Sequence, residues 1–170
     1  MIDLEGTKDR GVEFIDGLFS YAMILTGNQS VAECSVEAAF SLTIEGLNEF
    51  QSAAQLKLHL FMVLRRLCLE RVKGLWAESS LEGDDSDDNS DALLLGRSHP
   101  STDSEEITSI RAAFLKLHPL FRELVFLREY ENFSYREMSF ILGCPTDTVM
   151  TRSRAARSIL MSIYTRLRTS

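Results

Sequence analysis

Cysteine is scarce in this chain: Cys34, Cys68 and Cys144 are the only three in 170 residues, and no two form a Cys-x-x-Cys pair. That excludes a disulfide framework and a zinc knuckle, and it points to a reducing, cytosolic compartment. Long hydrophobic runs are also missing. Apolar stretches such as residues 60–64 fall far short of the roughly 20 residues that cross a bilayer. The opening Met1-Ile2-Asp3-Leu4-Glu5 has no basic region followed by an apolar run, so neither secretion nor membrane insertion is expected. Histidine is limited to His59, His99 and His118, scattered along the chain. No Gly-rich phosphate loop, Gly-x-Ser-x-Gly or His-Glu-x-x-His accompanies them, so the expectation is a non-enzyme without metal or cofactor.

What is present is an ordinary globular composition, 45% hydrophobic and 25% charged, with the charge unevenly placed. The formal net charge is −7, which at first argues against nucleic acid. Residues 1–76 hold 7 Lys+Arg against 10 Asp+Glu, residues 77–106 hold 1 against 10, and residues 107–170 hold 10 against 5. The acidity is therefore concentrated in the middle, and the last third carries the sign that a surface facing phosphates needs.

Residues 77–106 include Asp84-Asp85-Ser86-Asp87-Asp88-Asn89-Ser90-Asp91, with Leu93-Leu94-Leu95 as the sole apolar patch. A segment of that composition buries too little to order itself and is expected to be a flexible acidic linker. Asp85, Asp87 and Asn89 alternate as in a calcium loop, but Ser90 replaces the required Gly and Gly96 the required Glu. On both sides the apolar periodicity is helical, so the fold class is all-α: two small helical domains joined by that linker. Val12, Ile15, Leu18, Phe19, Ala22 and Met23 make one stripe. Val31, Val36, Ala39, Phe40, Ile44 and Leu47 make a second after a turn at Gly27-Asn28, and Leu56, Leu60, Val63, Leu64, Leu67 and Val72 make a third. Residues 1–76 thus form a three-helix-type bundle. Trp76, the one tryptophan, is expected to pack at its end. The second domain, residues 107–170, opens with a helix over 107–117. Another follows with Pro119 as its first residue and runs to about Tyr130.

Ser134-Tyr135-Arg136-Glu137 reads as a capping box that starts a short helix ending at Gly143. Cys144-Pro145 forbids continuation, and Thr146 is placed to cap a longer helix with its apolar residues at Val149, Ser153, Ala156, Leu160, Ile163 and Leu167. A different face carries Thr148, Thr151, Arg152 and Ala155, with Arg154 and Arg157 at its flanks. Helix, tight turn, longer helix is the layout of a helix-turn-helix. Its second helix lies in the major groove with small polar and apolar groups on base edges and arginines on phosphates.

Residues 117–160 resemble the C-terminal DNA-binding domain, region 4, of the extracytoplasmic-function (ECF) sigma factors of bacterial RNA polymerase. The likeness is carried by Leu117-His118-Pro119, Arg122, Ser134-Tyr135-Arg136-Glu137-Met138, Ile141-Leu142-Gly143-Cys144-Pro145, Thr148-Val149, Thr151-Arg152 and Ala156-Arg157. It implies that Thr148, Thr151, Arg152, Ala155 and Arg157 read an upstream promoter element. Asp147, Met150 and Ala155 stand where the family usually has Gly, Lys and Arg, a change that weakens phosphate attraction.

Residues 22–27, Ala32-Glu33, Glu37 and Phe40 look similar to the family's region 2, which implies polymerase-clamp binding by Glu33, Glu37 and Phe40. Residues 60–71 are similar to the segment that opens the downstream element, to which Phe50, Lys57, His59, Arg65, Arg66 and Arg71 would contribute stacking and cations. His59 and Arg66 replace a usual Trp and Asn, and Cys34-Ser35-Val36 replaces an acidic contact sequence. The expected function is an alternative sigma factor that directs core RNA polymerase to promoter DNA, with an anti-sigma factor as a further partner. The rival readings are a sigma-like mimic that sequesters an anti-sigma factor and a stand-alone helix-turn-helix regulator with a two-fold operator.

Overall fold

The computed structural model describes residues 13–44, 50–79 and 105–169. Most of the expected linker, including the acidic run, the calcium-loop positions and the leucine patch, lies outside them, as do Val12 and Leu47 of the apolar stripes and the side chain of Trp76. The described residues are helical, without strands, and fall into two compact units.

The first unit contains α1 (Ile15–Thr26), α2 (Gln29–Ile44) and α3 (Ala53–Ser79). Gly27, at φ 63°, ends α1 in the left-handed conformation and donates to Met23 O at 2.9 Å. One residue later the Asn28 side chain accepts from Val31 N at 3.1 Å and starts α2. The expected turn is therefore built from a left-handed glycine and an asparagine cap. The three helices pack mutually around Leu18, Tyr21, Ala22, Leu60, Phe61 and Leu64, all fully buried. The Tyr21 and Phe61 rings pack at a 34° tilt with centroids 5.2 Å apart.

The core departs from the expected stripes in its polar and aromatic members. Tyr21, Ile24, Phe61 and Cys68 are buried, as are Ser35 and Thr43 on α2, whereas Ile15 is exposed. Ser35 and Thr43 enter the core because each hydroxyl donates to the carbonyl four residues back, Val31 O at 2.6 Å and Ala39 O at 2.7 Å. A hydroxyl satisfied within its own helix is buried at little cost, which a reading of apolar residues alone misses.

The second unit contains α4 (Glu105–Leu115), α5 (Pro119–Val125), α6 (Tyr135–Leu142) and α7 (Thr146–Arg168). Pro119 is the first residue of α5, and the His118 ring accepts from Leu120 N. The last turn of the expected helix to Tyr130 is not α-helical: residues Phe126–Tyr130 form a π turn, with Glu131 N donating to Phe126 O at 3.0 Å. Asn132 then takes φ 59° and releases the chain toward Ser134. Arg122 Nη2 donates to Leu115 O at 2.5 Å and Leu117 O at 3.2 Å, covering carbonyls at the end of α4. The outer helices extend past the expected domain edges, α3 to Ser79 and α4 back to Glu105. Ala77, Glu78, Glu105 and Glu106 are all good helix formers.

Candidate nucleic-acid interface

The interface is assembled on α6 and α7. Ser134 Oγ accepts from Glu137 N at 3.2 Å, and Ser134 N donates to Glu137 Oε2 at 2.8 Å, so the capping box is complete. At the other end Gly143 takes φ 65°, and its N–H and that of Cys144 both donate to Ser139 O, at 3.0 and 3.3 Å. The break between the helices is thus fixed at both sides by backbone chemistry. Thr146 does not cap α7; it is the first helical residue, and Pro145 precedes it at φ −56°, ψ 144° with no side-chain cap. The extended proline sets the entry angle, and its carbonyl accepts from Val149 N at 3.1 Å.

Val149, Ser153 and Ala156 are buried, and α7 packs on α4, α5 and α6 through that face. Thr151, Arg152 and Ala155 are exposed, with Thr148 half-buried beside them. At 100° per residue these four span about 100° of arc, centred roughly 120° from the core face. Arg154 and Arg157 are not part of that arc. They lie about 110° and 170° around the helix from its centre, on the flank facing the π turn, where Arg157 pairs with Glu129. Two residues expected beside the base-reading face therefore occupy the opposite flank, because their sequence spacing advances them past the outward direction.

On the first unit, Glu33 and Glu37 are exposed and Phe40 is half-buried. The spacing i, i+4, i+7 keeps them on one face of α2, and Gln29 Nε2 donates to Glu33 Oε1 at 2.8 Å. The six residues expected to serve the downstream element do not form one patch. Phe50 and His59 pair with ring centroids 4.9 Å apart, and Arg66 is exposed. Lys57 Nζ instead lies 5.9 Å from the rings of both Phe14 and Phe61, over the bundle core. Arg71 Nη1 donates to Cys34 Sγ at 2.9 Å, reaching toward α2, and Arg65 is half-buried. Cys34 is exposed. Burial pushes the Cys68 thiol up from 9.0 to about 11, opposed by a hydrogen bond with Ser35 and by the Arg71 charge.

Residues 107–160 match the family model for sigma-70, region 4. Over 159 residues the chain is 28% identical to the ECF RNA polymerase sigma factor EcfG of Rhodopseudomonas palustris (strain TIE-1), covering 94% of this chain and 85% of that protein. Along nearly its whole length the chain is similar to an ECF sigma factor, and its residues 107–160 carry the sigma-70 region 4 signature.

The fold of the chain is shared with the sigma factor RpoE in its co-crystal with the anti-sigma factor NepR from Bartonella quintana. The TM-score is 0.72 at 21% identity, covering 94% of this chain and 97% of that one. Three features of the second unit escaped sequence reasoning: the π turn, the Arg128 and Tyr135 contact, and the Glu129–Arg157 pair. Arg128 lies 4.8 Å over the Tyr135 ring and donates to Phe133 O at 2.9 Å. No motif marks them: the π turn and the Arg128 contacts follow from the irregular path of residues 126–133, and Glu129 meets Arg157 only because α5 packs on α7. Among the described residues no helix is long and apolar enough to cross a membrane.

Proposed function

We propose that this chain is an ECF sigma factor that directs RNA polymerase to promoters by reading an upstream element with α7 and engaging the polymerase clamp and the opened downstream element with the α1–α3 unit. The observation that carries the reading is the exposed arc of Thr148, Thr151, Arg152 and Ala155 on a helix whose opposite face is anchored by Val149, Ser153 and Ala156. A helix so held can enter a major groove without losing its own core contacts. Arg152 supplies the bidentate donor suited to a guanine edge, and the small neighbours leave room for close approach.

In the first unit, Glu33, Glu37 and Phe40 share one face of α2 and form the polymerase contact. Phe50 and His59 offer a tilted ring pair, and Arg66 on the same helix as His59 is exposed; rings and a cation are the combination that binds an unstacked strand. Lys57 and Arg71 support this surface from within the bundle. The acidic segment 77–106 joins the two domains, and the protein works where the chromosome is, in the cytoplasm. The likeness to a sigma factor crystallised with an anti-sigma factor supports a regulator of that class as a second partner. Reconstitution with core RNA polymerase tests the function: stable association and promoter-specific transcripts are expected. Failure to associate with a core enzyme that accepts another sigma factor would overturn it in favour of the mimic or the stand-alone regulator.

A further inference from the structure

On the flank of α7 facing the π turn, Ser153, Arg154 and Arg157 meet Arg128, Glu129 and Tyr135 around a cavity of about 30 Å³. Ser153 is 8% exposed, and its Oγ is buried with no hydrogen-bond partner. A hydroxyl on a helix ordinarily turns to the carbonyl four residues back or to another acceptor, and one left orphaned costs stability. Three guanidiniums face a single carboxylate here. Arg128 is held by Phe133 O and the Tyr135 ring, so its charge has a fixed position. Arg157 is paired with Glu129, but the two side chains are 64% and 47% exposed, a surface pair that exchanges partners at little cost. Arg154 is exposed and has no partner among the described residues.

We infer that this pocket is a phosphate site, in which one phosphate oxygen accepts from Ser153 Oγ while Arg154 and Arg157 hold the others and the Arg128 charge stands behind them. The cavity suits the entry of an oxygen or two, since a single water needs only about 10–15 Å³ on the same measure. Guanidinium forks match phosphate geometry better than any other cation. Two sources carry this chemistry: the DNA backbone beside α7, and free phosphate. Arg154 and Arg157 lie about 110° and 170° around the helix from the centre of the base-reading arc, so a duplex read by that arc lies toward the other side of α7, which favours free phosphate over the DNA backbone. Only the backbone source rests on the promoter-binding reading.

The test is a titration of the full-length protein with inorganic phosphate at constant ionic strength, followed by calorimetry with chloride as control. Saturable binding is expected, weakened roughly three- to tenfold by Ser153→Ala and by Arg154→Gln and strengthened by Glu129→Gln. Ser153→Ala is expected to leave thermal stability unchanged or raised, since it removes an orphaned hydroxyl, so weaker binding by that variant cannot be assigned to misfolding. A phosphate response that Ser153→Ala and Arg154→Gln leave unaltered overturns the site. A promoter-duplex arm identifies the source. If it is the DNA backbone, Arg154→Gln lowers the slope of log affinity against log salt by about one; an unchanged slope assigns the site to free phosphate. Loss of promoter activity with the phosphate response intact would count against the sigma-factor reading alone.

Discussion

Ser134 and Glu137 bind each other reciprocally: each backbone N–H is accepted by the other's side chain, at 2.8 and 3.2 Å, and Ser134 Oγ also donates to Glu137 Oε2 at 2.7 Å. This closed ring fixes where α6 begins, and α6 in turn supports the entry to α7. Ser134→Ala opens the ring and strips the cap from α6. The expected loss is about 1 kcal/mol of stability in the second unit, read from the denaturant midpoint, with Ser134→Asp retaining most of it.

Gly143 holds the turn at φ 65°, and a Cβ added there meets no atom within 4 Å. The cost of Gly143→Ala is therefore backbone strain alone, about 1–2 kcal/mol. Gly143→Asn is expected to cost less than Gly143→Ala, because asparagine tolerates the left-handed region. Thermal unfolding of the two variants measures the difference, and equal losses would place the cost in packing instead.

Cys68 is fully buried, and burial raises its thiol from 9.0 to about 11. The neutral form is the one the core accepts, so its stabilisation is complete below pH 9 and is lost as pH rises toward 11. The loss is on the order of 2 kcal/mol at the top of that window. Cys68→Ala is expected to start less stable and to show a flatter dependence there. Denaturant titrations at stepped pH give both slopes.

Arg66 and Arg71 are expected to part company. Arg66 is exposed, whereas Arg71 is tied to Cys34 Sγ at 2.9 Å. Arg66→Ala should lower affinity for single-stranded promoter DNA and reduce its salt slope by a little under one unit, about 0.7. Arg71→Ala should change the stability of the first unit more than its DNA affinity. Fluorescence anisotropy at several salt concentrations, beside unfolding curves, separates the two.

Arg152→Ala removes the one guanidinium on the exposed arc of α7. If that side chain reads a base edge, affinity for the cognate promoter should fall by about 1–3 kcal/mol while affinity for unrelated duplex changes much less. Competition binding against both duplexes checks the ratio.

The helix-turn-helix was legible because each of its signals is local. The capping box spans four residues, the Gly143 stop and Pro145 act on their immediate neighbours, and the 3.6-residue period marks Val149, Ser153 and Ala156 as inward. The helical content and the turn at Gly27-Asn28 were legible for the same reason. The first unit's functional surface was not. Lys57, Arg65, Arg66 and Arg71 share a basic stretch of sequence, yet Lys57 lies over Phe14 and Phe61 while Arg71 reaches back to α2. A long flexible cation takes its direction from whichever helix packs nearby, and the sequence names the cation without naming the neighbour.

The sequence by itself determined that this chain is helical, that its charge is acidic in the middle and basic at the end, and that α6 and α7 meet at a tight turn. These follow from propensity, capping and periodicity, which act over a few residues. Only the tertiary structure decided that the flank carrying Arg154 and Arg157 faces the π turn, that Ser153 is buried there without a partner, and that Arg71 reaches across to Cys34. Those relationships join residues far apart in the chain. They exist because packing α5 and α6 on α7, or α2 on α3, brings together side chains whose separation along the chain carries no information about their distance in space.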